Sequence, residues 1–264
     1  MMKRFFRDIK RYNPYAVYAA KAELKSSVAD SYLNWLWWIL DPILFMLIYS
    51  FVVQIVFGSR EPNFSVFVFI GLTAWDFFNR TITNSVKLVK ANKSTVTKIY
   101  IPKYTLILIK MYVNFFKMLI SFGIVIVSMV IDRIEIGFNL CYIPLILAVL
   151  FLITFGFGLI FMHFGVFIED LSNVVTVLLR LVFYMSGIFY SIESKLGKLN
   201  HVISFILEKV NPVALVISSL RDVMLYNRAP DVSALVIWLV AGVLISAFGI
   251  HIVYKYENSY TKVI

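Results

Sequence analysis

The chain has 264 residues, 61% of them hydrophobic and only 15% charged, a balance outside that of soluble domains and one that marks an integral membrane protein. Its formal charge of +10 would suit nucleic acid, but the basic residues lie between apolar runs and build no aromatic-interleaved reading surface, so that partner is excluded. Cys141 stands alone and rules out an intrachain disulfide.

Basic residues crowd the N-terminus, yet no short apolar core with a small-residue cleavage site follows, so no cleaved signal peptide is expected. Residues 14–34 read as an interfacial helix. Pro14 stands in its first turn, Val17, Leu24 and Val28 share a stripe, and Lys21 and Lys25 flank that stripe to reach headgroups. Span one, Trp35 to Phe57, opens with an aromatic belt of Trp35, Trp37 and Trp38, and Asp41 and Pro42 loosen its early turns. Span two runs from Phe64 to about Ile82, with Asp76 and Arg80 spaced to pair at i,i+4.

Residues 87–103, KLVKANKSTVTKIYIPK, carry five lysines and no acid, as a cytoplasmic loop does. Two readings of this loop compete. Either a soluble partner pushes on it, or its lysines only fix topology and touch anionic lipid. Span three, Tyr104 to Ile131, bears Lys110, Asn114 and Lys117 at i, i+4 and i+7, a polar stripe that lines a conduit, meets headgroups or snorkels to the interface. Span four, Leu140 to Ile168, has Gly156, Gly158 and Gly165 for close helix approach, and His163 is read as a packing residue, with no metal expected. Span five, Val174 to Tyr190, contains Arg180, costly in a bilayer unless paired or facing water.

Between Ser191 and Asp231 the apolar pieces are too short to cross, so residues 199–220 are predicted to form a broken, re-entrant helical pair. The alternative there is one poor seventh span. Span six runs from Val232 to Tyr254. The predicted whole is an all-α membrane protein, one domain over residues 1–264, with six transmembrane helices, the interfacial helix and the re-entrant pair. This topology puts about twice as many Lys and Arg inside as outside, hence both termini in the cytoplasm.

The catalytic motifs are missing. The sequence has no G-x-x-x-x-G-K-[ST], no H-E-x-x-H, no G-x-S-x-G and no dense carboxylate cluster, so neither nucleotide hydrolysis nor metal-dependent transfer is expected of this chain.

Five stretches in matching order resemble the membrane subunit of bacterial ABC exporters for cell-surface glycopolymers, the group serving O-antigen, capsule and wall teichoic acid. They are SYLNWLWWILDPILFMLIYSFV, FIGLTAWDFFN, KIYIPKY, FIEDLSNVVTVLLRLVFYMSGIFY and NPVALVISSLRDVMLYNRAPD. The resemblance implies a bacterial inner-membrane permease built from two copies of this chain with two separate ATP-binding subunits that hold the ATP and Mg. Residues 92–101 would be a coupling helix seated in the ATPase, with Lys90, Asn92, Lys93, Thr97, Lys98, Ile99 and Ile101 as contact residues. The cargo would be a lipid-linked glycopolymer. Its path is assigned to Tyr49, Trp75, Lys110, Asn114, Lys117, Arg180, Phe183, Tyr184 and Tyr190, because aromatic faces stack on sugar rings without demanding one sequence of sugars. Two departures stand out: Glu169-Asp170 where the family often has Arg-Asp, and Ser186-Gly187 where it often has Ser-Pro. The competing functions are a membrane-embedded lipid or sugar transferase, and an ABC exporter of the same fold for drugs or lipids.

Overall fold

The computed structural model describes residues 2–29, 32–52, 63–135, 137–192 and 206–263, which among them form helices and no strand. In chain order these are α1 (Met2–Ser26), α2 (Trp37–Phe51), α3 (Phe64–Ala91), α4 (Lys93–Lys98), α5 (Tyr104–Ile131), α6 (Ile143–Phe167), α7 (Leu171–Met185), α8 (Pro212–Met224) and α9 (Val232–Val263). Short 3-10 turns, Asn34–Leu36 and Phe138–Tyr142, lead into α2 and α6. Three stretches, Tyr104–Ile131, Phe138–Phe167 and Val232–Tyr260, are long and apolar enough to cross a bilayer, and Trp37–Tyr49 and Leu171–Met185 are shorter apolar helices. The chain is an all-α membrane protein.

Helix α6 is the centre, packed against α9, α3 and α8, with Ile146, Val149, Leu150, Ile153, Leu159 and Met162 fully enclosed. Its glycines let backbones meet. A β-carbon at Gly165 would collide with the Val86 carbonyl of α3, and one at Gly156 would press on Ile245 and Ser246 of α9. Gly158, grouped with them on sequence, has only ordinary contact with Ile107. Two buried hydroxyls of α3 are satisfied within their own helix, Thr73 donating to the Phe69 carbonyl and Thr81 to that of Phe77, as a water-free interior favours.

Helix α1 differs from its predicted form. It begins at Met2, runs through Pro14 and ends at Ser26. A proline inside a helix forfeits one backbone hydrogen bond, and here burial of Phe5, Ala16 and Ala20 offsets that loss. Of the predicted stripe, Val28 is buried and Leu24 packs against the core, but Val17 is exposed and Ala16 takes its place. Small residues at 16 and 20 bring α1 close along α5, where Tyr112 donates to Asn13 at 2.6 Å.

Span two and the lysine loop also join differently. Helix α3 continues without a break to Ala91, so Lys87 and Lys90 stand on its last turns, and only then does Asn92 close it, its side-chain amide donating to the Leu88 carbonyl at 2.8 Å. Helix α4 follows at once, and extended residue Ile99 with Pro102 ends it before α5.

Of the predicted re-entrant pair, the first half lies almost wholly outside the described residues. The second half is α8, which has proline at N1 and whose Asn211 side chain accepts from the Val213 and Ala214 amides at 3.1 and 3.3 Å. The last five residues of span one, 53–57, are likewise outside them.

Candidate functional site

A cavity of about 880 Å³ lies between α2, α3, α5 and α7. Helical spacing explains its lining. Trp37, Asp41, Phe45 and Tyr49 recur every four residues on α2, and Phe69, Leu72, Asp76, Asn79, Arg80 and Thr83 follow the three-and-four spacing on α3. Lys117 and Ser121 come from α5, and Thr176, Arg180, Phe183 and Tyr184 from one stripe of α7. Ser27 and Val28, in the turn after α1, complete the wall.

Aromatic rings line the part of the cavity where α2, α3 and α7 converge. Trp75 and Phe183 have centroids 5.3 Å apart, Phe183 meets Phe189 at 5.4 Å, and Phe189 meets Tyr49 at 5.0 Å. Tyr184 is exposed, offering one ring face freely. Such rings present apolar faces with polar tips, a surface suited to sugars.

Charge is arranged unequally. Arg80 donates to Asp76 at 3.0 Å, the i,i+4 pair expected from sequence, and also reaches Asp41 of α2 at 3.5 Å. Two carboxylates thus neutralise one guanidinium. Lys117 and Arg180 make no hydrogen bond or ion pair among the described residues, so the cavity carries a cationic surplus.

Six of the nine residues assigned to a substrate path line this cavity: Tyr49, Trp75, Lys117, Arg180, Phe183 and Tyr184. The other three do not. Lys110 pairs with Glu23 of α1 at 2.5 Å, Asn114 is buried and donates to Thr81 of α3 at 2.9 Å, and Tyr190 folds back to donate to the Tyr184 carbonyl at 2.9 Å. The i, i+4, i+7 stripe is thus shared among three neighbours, because Lys110 and Lys117 stand about 10 Å apart along the helix axis.

Helix α4 and its flanks form the second site. Lys93, Thr97, Lys98 and Ile99 are exposed, and Asn92 is half-buried. Lys90, also half-buried, lies 3.5 Å from Glu169, which gives that departure from the family pattern a partner. Ile101 corrects the sequence reading: only 4% exposed, it anchors the segment from within and offers no surface to a partner. Lys103 is buried as well, donating to the Ile101 carbonyl at 3.3 Å, and burial pulls its amine below the usual lysine range. Burial, aided by Glu257, pushes the Tyr100 phenol up, so at neutral pH it remains a donor.

Sequence reasoning missed Arg221. It is buried at 5% exposure on α8 and donates to three backbone carbonyls, Phe67 at 3.1 Å, Gly187 at 2.8 Å and Ile188 at 2.7 Å, while its guanidinium lies 3.4 Å from the Phe67 ring centroid. Gly187 has φ of +64°, a conformation open to glycine. A lone arginine within the apolar stripe of residues 213–224 was the available clue.

The fold agrees with comparison by sequence. The family model described as ABC-2 type transporter matches residues 16–225. The chain belongs to the ABC-2 type transporter family. Two O-antigen export system permease proteins RfbA of Klebsiella pneumoniae are similar to it at 26% and 25% identity over 243 residues, covering 92% of this chain and of each relative. An O-antigen export system permease protein RfbA of Myxococcus xanthus is 23% identical over 234 residues, covering 89% of both. As an ABC-2 family member the chain is a membrane subunit of a transporter.

Proposed function

We propose that this ABC-2 subunit is the permease half of an exporter that moves a lipid-linked polysaccharide across the bacterial inner membrane. The observation that carries the reading is the cavity: sugar-compatible rings and unneutralised cations share one space between α2, α3, α5 and α7. Relatives named for O-antigen export, similar along nearly the whole chain, favour that class of cargo over drugs or simple lipids.

Two copies would work together. Helices α2 and α7 expose Leu44, Leu47, Ile48 and Phe51, and Val177, Leu178 and Leu181, apolar surface that a second copy would cover beside the cavity. Two ATP-binding subunits would dock on α4 through Lys93, Thr97, Lys98 and Ile99, with both termini on that cytoplasmic side. When ATP draws those subunits together, α4 moves, and the unbroken α3 carries the motion to the cavity wall that holds Trp75 and Arg80. The chain itself hydrolyses nothing.

A cysteine at Lys93 tests the docking, since it is expected to crosslink to the ATPase in a functioning complex. Trp75→Ala tests the path and is expected to reduce surface polysaccharide in cells about tenfold. Product formation by the purified chain with labelled donor lipid and no ATPase would instead establish a transferase.

A further inference from the structure

Arg4 of α1 is a hub between three parts of the chain that are far apart in sequence. Its guanidinium donates to Glu257 of α9 at 2.9 Å and to the Tyr100 hydroxyl at 2.5 Å, approaches Asp8 at 3.5 Å, and stacks 4.5 Å over the Tyr254 ring. Tyr100 donates in turn to Glu257 at 3.2 Å, and Tyr254 to Asp8 at 2.8 Å. Both carboxylates are buried, Asp8 at 9% and Glu257 at 8% exposure. A buried carboxylate is strongly disfavoured unless donors surround it, so each of these acids fixes the donors it has gathered.

Tyr100 stands two residues beyond α4, and its ring and Glu257 share a small groove of about 200 Å³ with Val96, Thr97 and Lys98. At its other end α1 is tied to α5 by Glu23 and Lys110, and the turn after it borders the cavity with Ser27 and Val28.

We propose that Glu257 is a positioning residue for the coupling segment: with Arg4 it locks Tyr100, so that α4, α1 and the end of α9 move as one body. This rests on the coupling reading of α4, yet the locking itself is a property of this chain alone. Displacement of α4 then reaches the cavity by two routes, through α3 and through α1, and Glu257 governs only the second.

The test uses spin labels on cysteines replacing Lys98 and Asn258, in a Cys141→Ser background because Cys141 is exposed and would also label. In the detergent-solubilised chain a narrow distance distribution is expected, broadened at least twofold by Glu257→Ala and narrowed again by the exchanged pair Arg4→Glu with Glu257→Arg. A distribution already broad, or indifferent to Glu257→Ala, overturns the proposal. In reconstituted complex, polymer exported per ATP hydrolysed is expected to fall about tenfold in Glu257→Ala and to recover in the exchanged pair. Loss in the exchanged pair as well, with correct distances, overturns the role in coupling. Failure of the Lys93 crosslink instead removes the ATPase reading and leaves the distance result standing.

Discussion

Two arginines hold opposite halves of this molecule together by different chemistry. Arg4 joins α1, the segment after α4 and α9 through two carboxylates and the Tyr100 hydroxyl, with its own side chain 42% exposed. Arg221 joins α8, α3 and the turn after α7 through backbone carbonyls, and it is almost fully enclosed. Ion pairs reached by water can exchange, weaken in salt and re-form, which suits a part that moves. A guanidinium sealed against carbonyls leaves three acceptors orphaned if it departs, which suits a part that must not.

Removing Arg221 is the most severe way to break that contrast. Arg221→Ala is expected to cost about 3 kcal/mol or more, read as a lower melting temperature in detergent, with Arg221→Lys recovering only part because one ammonium cannot span three carbonyls in a fork. Arg4→Ala is expected to cost about 1 kcal/mol, and raising salt from 0.1 to 1 M should weaken the wild-type clasp while leaving the Arg221 site unmoved. Hydrogen exchange at the ends of α1 and α8 separates the two. Arg80→Ala comes next: freeing Asp41 and Asp76 to offset Lys117 and Arg180 cancels the cavity's cationic surplus, so polysaccharide export should fall with little change in melting temperature. The smallest effect is expected at Asp231, which caps α9 by accepting from Ala234 at 3.0 Å. Hydrogen bonds from Lys209, Ser233 and Ala234 hold its carboxyl well below the usual range. Because its folded pKa is depressed, its stabilisation is complete above the ordinary carboxylate value and is lost only as pH falls through the folded one. Acidification from pH 7 to 5 should therefore leave this cap intact, whereas Asp231→Asn weakens it slightly at any neutral pH.

The cavity was more legible than the clasp, for a physical reason. Trp75, Phe183 and Tyr184 stand out by residue type, as aromatic faces that can stack on sugars, and Arg180 stands out as a charge inside an apolar span. The Asp76 and Arg80 pair could be read from its i,i+4 spacing. Glu257 and Arg4 are 253 positions apart, and no periodicity announces a meeting across that distance. Lys110, Asn114 and Lys117 show the limit from the other side: spacing put them on one face, but it could not say that Glu23 and Thr81 would claim two of them. Ile101 follows the exposed Ile99 and Tyr100 in a basic segment, and only packing shows that the chain turns inward from it onward.

The meeting of Gly165 with the Val86 carbonyl sets a fulcrum on α3. From Val86 the helix runs about 7 Å to its end beside α4 and about 33 Å to Phe64. Because Arg221 holds Phe67 near that far tip, the long arm is pinned at both ends, and a nudge beside α4 must bend the stretch between them, the one that carries Trp75 and Arg80, rather than swing the tip.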